Sequence, residues 1–202
     1  MKVFLTGTDT NVGKTLIANW ICLQTGFDYW KPIQCGNLTD SDTLSITALS
    51  HATVFPESYV LEQPLSPHAA AALESKSIDL AQITLPNSDR LIIEGAGGTL
   101  VPINQHFFMI DLIKQFNTPV IVVSRSTLGT INHTCLTLEA LRLRNIPVLG
   151  VIMNGPLNPL NKQAIEFYGK TNVLAEFPML DEVAVEVLRN IPLSADLQKI
   201  LL

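Results

Sequence analysis

The residues with the clearest chemical potential form a single run near the start of the chain, GTDTNVGKT, from Gly7 to Thr15. It follows a short apolar stretch and precedes a segment with helical spacing, which is the setting a phosphate-binding loop requires. In that setting successive backbone N–H groups and the positive end of a helix face a polyphosphate. Lys14 would neutralise β- and γ-phosphates, and the Thr15 hydroxyl would serve Mg²⁺. The first glycine, Gly7, stands one place earlier than the common spacing, which would put it at Thr8. An ordinary glycine-containing strand-to-helix turn is the competing reading.

Three further groups could join this chemistry. RLIIEGAGG, Arg90 to Gly98, places Glu94 at the end of an apolar strand, where a carboxylate can hold Mg²⁺ directly or through water. Gly95, Gly97 and Gly98 would let the backbone approach phosphates closely. The alternative is a tight turn whose glutamate meets solvent. Lys31, in WKPIQCG, ends another short strand, and ligands of open α/β sheets collect outside such ends. It can offset charge on a transferring phosphoryl group, or it can be a solvated surface lysine. The helix over Ser41–Ser50 opens with a possible Ser or Asp cap. Asp42, in SDTL, is either a Mg²⁺ carboxylate or that cap, the cap being favoured over the metal role on spacing alone.

These groups need a scaffold, and the pattern of the chain supplies one. Val3–Thr6, Asp28–Lys31, Arg90–Ile93, Val120–Val123 and Val148–Met153 read as strands. Lys14–Gln24, Ser41–Ser50, Ile110–Phe116, Thr130–Arg144, Asn161–Gly169 and Ser194–Leu201 read as helices. Runs such as VIVV carry no polar alternation, as expected for strands covered on both faces. The alternation predicts a doubly wound, mostly parallel α/β sheet with helices on both faces. At 202 residues one domain spanning 1–202 is the economical reading. Leu61–Pro67 and Asn154–Asn161, rich in Pro, Asn and Gly, read as functional loops.

Composition narrows the function classes. The chain is 47% hydrophobic and 15% charged with a net charge of -5, and no basic block supports nucleic-acid or membrane-surface binding. Three scattered cysteines without C-x-x-C spacing argue against a disulfide framework or a zinc site. The opening MKVFLTGTDT turns polar too soon for a signal sequence, and no apolar run reaches the length of a membrane span. A cytoplasmic location is expected.

Taken in order, GTDTNVGKT, KPIQCG, SDTL, SPHAAA, EGAGG, LGTINHT and the strand ending at Asn154 resemble the dethiobiotin synthetases of the biotin pathway, a family with a P-loop NTPase-like fold. The resemblance runs from Gly7 to about Leu180. It implies an ATP- and Mg²⁺-dependent enzyme that carboxylates 7,8-diaminononanoate with CO₂ and closes the ring. It implies a homodimer with the substrate at the interface. Catalytic roles would fall to Lys31, Lys14 and Thr10. Nucleotide contacts would come from Thr8, Asp9, Asn11, Val12, Gly13, Lys14, Thr15, Leu16, Glu94 and Gly97. Asn154 would read the adenine edge, with backbone of Pro178, Met179 and Leu180 closing that pocket. Metal ligation would involve Thr15, Asp42 and Glu94. The diamine would meet Thr10, Lys31 and Cys35, and its distal carboxylate would meet Gly129, Thr130, Ile131 and Asn132. Two positions depart from the family pattern: Asn11 stands where many relatives carry an acid, and Cys35 where serine or threonine is familiar. ATP-switch proteins that partition DNA are a rival class. They would show an extra lysine early in the loop, where this chain has Thr8, and often a basic or amphipathic tail, whereas Leu193–Leu202 carries one lysine.

Overall fold

The computed structural model describes residues 1–36, 39 and 41–202. In chain order the elements are β1 (Lys2–Gly7), α1 (Lys14–Thr25), β2 (Asp28–Trp30), β3 (Ile33–Cys35), α2 (Asp42–Leu49), β4 (Val54–Phe55), β5 (Tyr59–Leu61) and α3 (Pro67–Leu73). After a short 3₁₀ turn at Leu80–Gln82 come β6 (Leu91–Gly98), α4 (Met109–Phe116), β7 (Val120–Arg125) and α5 (Thr130–Arg142). The chain continues through β8 (Val148–Asn154), α6 (Pro159–Gly169), β9 (Val173–Phe177), α7 (Val185–Arg189) and α8 (Ala195–Leu201).

Seven strands form one sheet in the order β4-β2-β6-β1-β7-β8-β9, and every neighbouring pair is parallel. The period-2 geometry of the strands sorts their side chains between two apolar layers. Val3, Leu5, Ile92, Ile121 and Val123 pack with α1, α2, α7 and α8 on one face. Phe4, Leu91, Ile93, Val120 and Val122 pack with α3, α4, α5 and α6 on the other. This is the doubly wound arrangement that unbroken apolar strands require. Adjacent strands β1 and β7 are followed by helices on opposite faces, α1 and α5, so a crevice opens at their C-terminal ends.

Local chemistry fixes the elements around that crevice. Helix α1 ends at Gly26, whose φ of 70° suits the left-handed cap and whose N–H bonds to the Cys22 carbonyl. Its Trp20 packs edge-on against Phe177 with centroids 5.0 Å apart and donates from Nε1 to the Ile191 carbonyl at 2.7 Å.

Several expectations need correction. The cap of α2 is Ser41, whose hydroxyl accepts from Leu44 N at 3.3 Å. Asp42 occupies the first helical position, and its carboxylate is free to face the crevice. The strand read as Arg90–Ile93 continues through Gly98. Gly95 therefore belongs to the sheet, where a Cβ would lie 2.8 Å from the Phe4 ring; it serves packing rather than phosphate approach. The short parallel pair β3 and β5, the edge strands β4 and β9, and helices α3 and α7 were not anticipated.

Candidate active site

The phosphate loop closes over the end of β1. Thr8 N donates to Val123 O at 3.0 Å, anchoring the loop to β7. Asn11 and Gly13 both take positive φ, 57° and 95°, a region asparagine and glycine enter most readily. Alternating left- and right-handed residues make a concave row of N–H groups suited to an anion. Two side chains hold the row from outside. Asn154 Nδ2 donates to Val12 O at 2.9 Å, and Arg125 Nη2 donates to Thr10 O at 3.1 Å.

Beside the loop lies a cleft of about 760 Å³. Its walls bring together Thr10, Asn11, Gly13, Lys14, Thr15, Lys31, Cys35, Asp42, Glu94 and Gly97 of the expected residues. Lys14 is nearly buried and reaches Asp9 O at 3.5 Å. Burial pushes its ammonium below the ordinary lysine range, and neighbouring Lys31 pushes the same way, while Glu94 and Asp9 oppose the shift. Lys31 forms an ion pair with Asp42 and stands 3.7 Å from Glu94 Oε1. Glu94 is 1% exposed, which disposes of the solvent-facing turn. The cleft also has walls from Gln34 and Gly36, which were not foreseen, and from residues 64–67 of the segment read as a functional loop.

The Thr15 hydroxyl lies 2.6 Å from Asp42 Oδ1 and 2.9 Å from Glu94 Oε1. It carries one proton and can donate to only one of them at a time. Two carboxylates and a hydroxyl thus converge with a surplus of acceptors. Such a set of hard oxygen donors suits Mg²⁺, which binds through one or two carboxylates plus substrate phosphates.

Other expected residues lie outside this cleft. Thr8, Asp9, Val12 and Leu16 belong to the loop and the first turn of α1. Asn154 ends β8 beside Phe177 of β9, so Pro178, Met179 and Leu180 emerge next to it. Gly129, Thr130, Ile131 and Asn132 open α5 at the end of β7, away from Lys31. Thr130 Oγ1 donates to Arg125 O at 2.5 Å, which ties that helix start to the residue bracing Thr10.

Three residues escaped the sequence reading. Arg125 is one. Gln34 donates from Nε2 to the Cys35 and Gly36 carbonyls, at 3.2 and 3.0 Å. Its buried Oε1 has no partner among the described residues. Tyr29 donates its phenol to Glu94 Oε2 at 3.0 Å. A signal for Tyr29 existed, since it precedes Lys31 by two positions on one extended segment and so shares its face.

Burial pushes the Cys35 thiol up to about 11, while the Lys31 ammonium pulls the other way. At pH 7.5 that leaves roughly a hundredfold less thiolate than a cysteine at the ordinary value of 9.0 carries. Iodoacetamide should therefore label Cys35 about a hundredfold more slowly than a free thiol, with the rate rising about tenfold per pH unit toward pH 11. Mass spectrometry of the Cys35 peptide measures this, and labelling at the ordinary rate at pH 7.5 would contradict it.

Among the described residues no helix is long and apolar enough to cross a membrane. A family model described as an AAA domain matches residues 1–187. The chain is 49% identical over 200 residues to the ATP-dependent dethiobiotin synthetase BioD of Lawsonia intracellularis, covering 99% of this chain and 98% of the relative. It is 50% identical over 192 residues to the protein of the same name from Paramagnetospirillum magneticum, covering 94% of each. Among solved structures it is similar to a plasmid partition protein from Borrelia burgdorferi bound to AMPPNP, with a TM-score of 0.56 and 12% identity over 99% of this chain and 97% of that one. That likeness reaches the P-loop NTPase-like fold and stops there. Near-half identity along the whole chain goes further, and by it this protein belongs to the dethiobiotin synthetase family.

Proposed function

We propose that the protein carboxylates 7,8-diaminononanoate with CO₂ and closes the cyclic urea, consuming ATP and releasing dethiobiotin, ADP and phosphate. One observation carries the reading: Lys14 and Lys31 meet in a single cleft with Thr15, Asp42 and Glu94. A carbamate and ATP are both anionic, so bringing them together requires concentrated positive charge in a shielded site.

In this reading one amine of the diamine attacks CO₂ and becomes a carbamate beside Thr10 and Lys31. The carbamate oxygen takes the γ-phosphoryl group, ADP leaves, and a carbamic–phosphoric anhydride results. The second amine then attacks the carbonyl carbon and expels phosphate. Lys14 and Lys31 offset the charge of the phosphoryl group in flight. Cys35, held as a thiol, offers a weak donor and its backbone N–H. Thr15, Asp42 and Glu94 would hold Mg²⁺, which when bound neutralises charge on the β- and γ-phosphates. The adenine would lie by Asn154 and residues 178–180.

The start of α5, Gly129 to Asn132, would receive the distal carboxylate of a diamine held mainly by the partner subunit. A homodimer is supported by the outer face of α5 and α6. On and beside those helices Leu128, Leu136, Leu143, Leu160, Phe167 and Tyr168 are all more than half exposed, and a partner subunit would cover such side chains. We take 1–202 as one domain and the cytoplasm as its place of action.

The test is phosphate release from Mg–ATP and bicarbonate, with and without 7,8-diaminononanoate. Release should require the diamine, and dethiobiotin should appear one for one with phosphate. Diamine-independent hydrolysis, or phosphate without dethiobiotin, would overturn the proposal. In the same preparation sedimentation should give about twice 22.1 kDa.

A further inference from the structure

We infer that Tyr29 is a positioning residue that fixes the Glu94 carboxylate for metal-linked nucleotide binding. The inference rests on the reading of Thr15, Asp42 and Glu94 as the Mg²⁺ site.

The argument begins in the sheet. Strands β2 and β6 pair with Tyr29 opposite Ile92 and Trp30 opposite Ile93, so Glu94 lies just beyond the paired segment. Tyr29 is fully buried and Glu94 nearly so. The two oxygens of Glu94 are engaged from different sides. Oε2 accepts the Tyr29 phenol at 3.0 Å. Oε1 lies 2.9 Å from the Thr15 hydroxyl and 3.7 Å from Lys31. The bond to the phenol sets the rotation of the carboxylate from its Oε2 side, and that rotation leaves Oε1 facing Thr15 and Lys31.

Take the phenol oxygen away and Oε2 becomes a buried acceptor with no donor among the described residues. The carboxylate is then free to turn toward the Lys31 ammonium, which draws Oε1 away from Thr15. Partners that orient a ligating carboxylate are worth tenfold to a hundredfold in metal affinity in comparable sites. The ring itself is separately accounted for. It packs in the apolar layer with Ile17, Ile46 and Ile92, and phenylalanine fills the same space, so Tyr29→Phe isolates the hydroxyl.

The experiment uses the whole protein with ADP and follows Mn²⁺, as a probe for Mg²⁺, by electron paramagnetic resonance. Tyr29→Phe should weaken Mn²⁺ binding to the ADP complex by about 10- to 100-fold. Affinity for ADP measured in EDTA should stay unchanged. In turnover the Mg²⁺ requirement should rise by a similar factor, with kcat returning toward the wild-type value at saturating metal. In a Glu94→Gln background the same substitution should add nothing, because its effect passes through Glu94.

Unchanged Mn²⁺ affinity in Tyr29→Phe would overturn the inference, as would an equal loss of metal-free ADP binding or an effect that persists in Glu94→Gln. If Glu94→Gln alone left Mn²⁺ affinity intact, the metal reading of Glu94 would fall, and the inference with it. A loss in Glu94→Gln with none in Tyr29→Phe would remove only the role of Tyr29.

Discussion

Replacing Lys31 with alanine is expected to lower dethiobiotin formation by about 10²–10³-fold, the range for removing one preorganised charge from a developing anion. The affinity for Mg–ADP should change little. The split follows from position: Lys14 lies in the phosphate loop, whereas Lys31 enters from the end of β2 on the side of the cleft shared with Cys35. Its ammonium can meet the carbamate and the transferring phosphoryl group without being needed for ADP. Steady-state phosphate release paired with calorimetric ADP binding separates the two effects. An equal fall in both would make Lys31 a nucleotide-binding group. Stability should move as well. The Lys31 ammonium pairs with Asp42 and stands near Glu94, and breaking a fully buried pair costs about 3–5 kcal/mol. The Asp42 side chain is 26% exposed, so screening brings the expected loss to about 2 kcal/mol, or about 4–8 °C for a chain of this size. Added Mg²⁺ should restore part of that loss, because the dication answers the same two carboxylates. Lys31→Arg should recover stability better than turnover, since a planar fork does not reproduce a compact point charge.

How far the site could be read from the chain depends on how local each contact is. The phosphate loop was legible because its chemistry lies within a few residues and its flanking strand and helix carry strong patterns. Lys31 and Glu94 were legible as strand-end groups, and the parallel sheet followed from runs such as VIVV. The cap of α2 was not decidable from residue types, because Ser41 and Asp42 are both good capping residues. Only the backbone shows that Ser41 takes the cap and leaves Asp42 for Thr15. Contacts that cross the sheet were equally hidden. Tyr29 meets Glu94 across 65 positions and Asn154 meets Val12 across 142, distances over which no local period carries information. Strands of two or three residues, such as β3, β4 and β5, are shorter than the window in which alternation can be recognised. Helix α3 is different. Its Ser66–Pro67 start and alanine run were signals available in SPHAAAAL.

Gly13→Ala is the other substitution expected to be severe, and here the backbone is the cause. Gly13 sits at φ 95° as the cap of α1, where an L side chain costs about 1–2 kcal/mol. A Cβ there would also overlap Asn154 Nδ2, the atom that donates to Val12 O. Relief requires either the loop or Asn154 to move. Moving the loop displaces the N–H groups proposed to face the phosphates, and moving Asn154 breaks the brace that shapes them. A displacement near 1 Å is enough to cost about 10²-fold in a positioned reaction, so turnover should fall at least that far, with ATP affinity falling beside it. Asn154→Ala should be milder alone, losing the brace and the proposed adenine contact. The double variant is the informative one. Once Gly13→Ala has pushed the amide aside, deleting it removes the overlap and little else, so the double variant should be less impaired than the two single losses added together. A coupling of about 0.5–3 kcal/mol is the range for residues in contact, and what persists in the double variant is the strain of the left-handed position itself. Strict additivity would show that Asn154 does not constrain Gly13, and normal nucleotide affinity in Gly13→Ala would show that the loop tolerates a side chain where its curvature demands none.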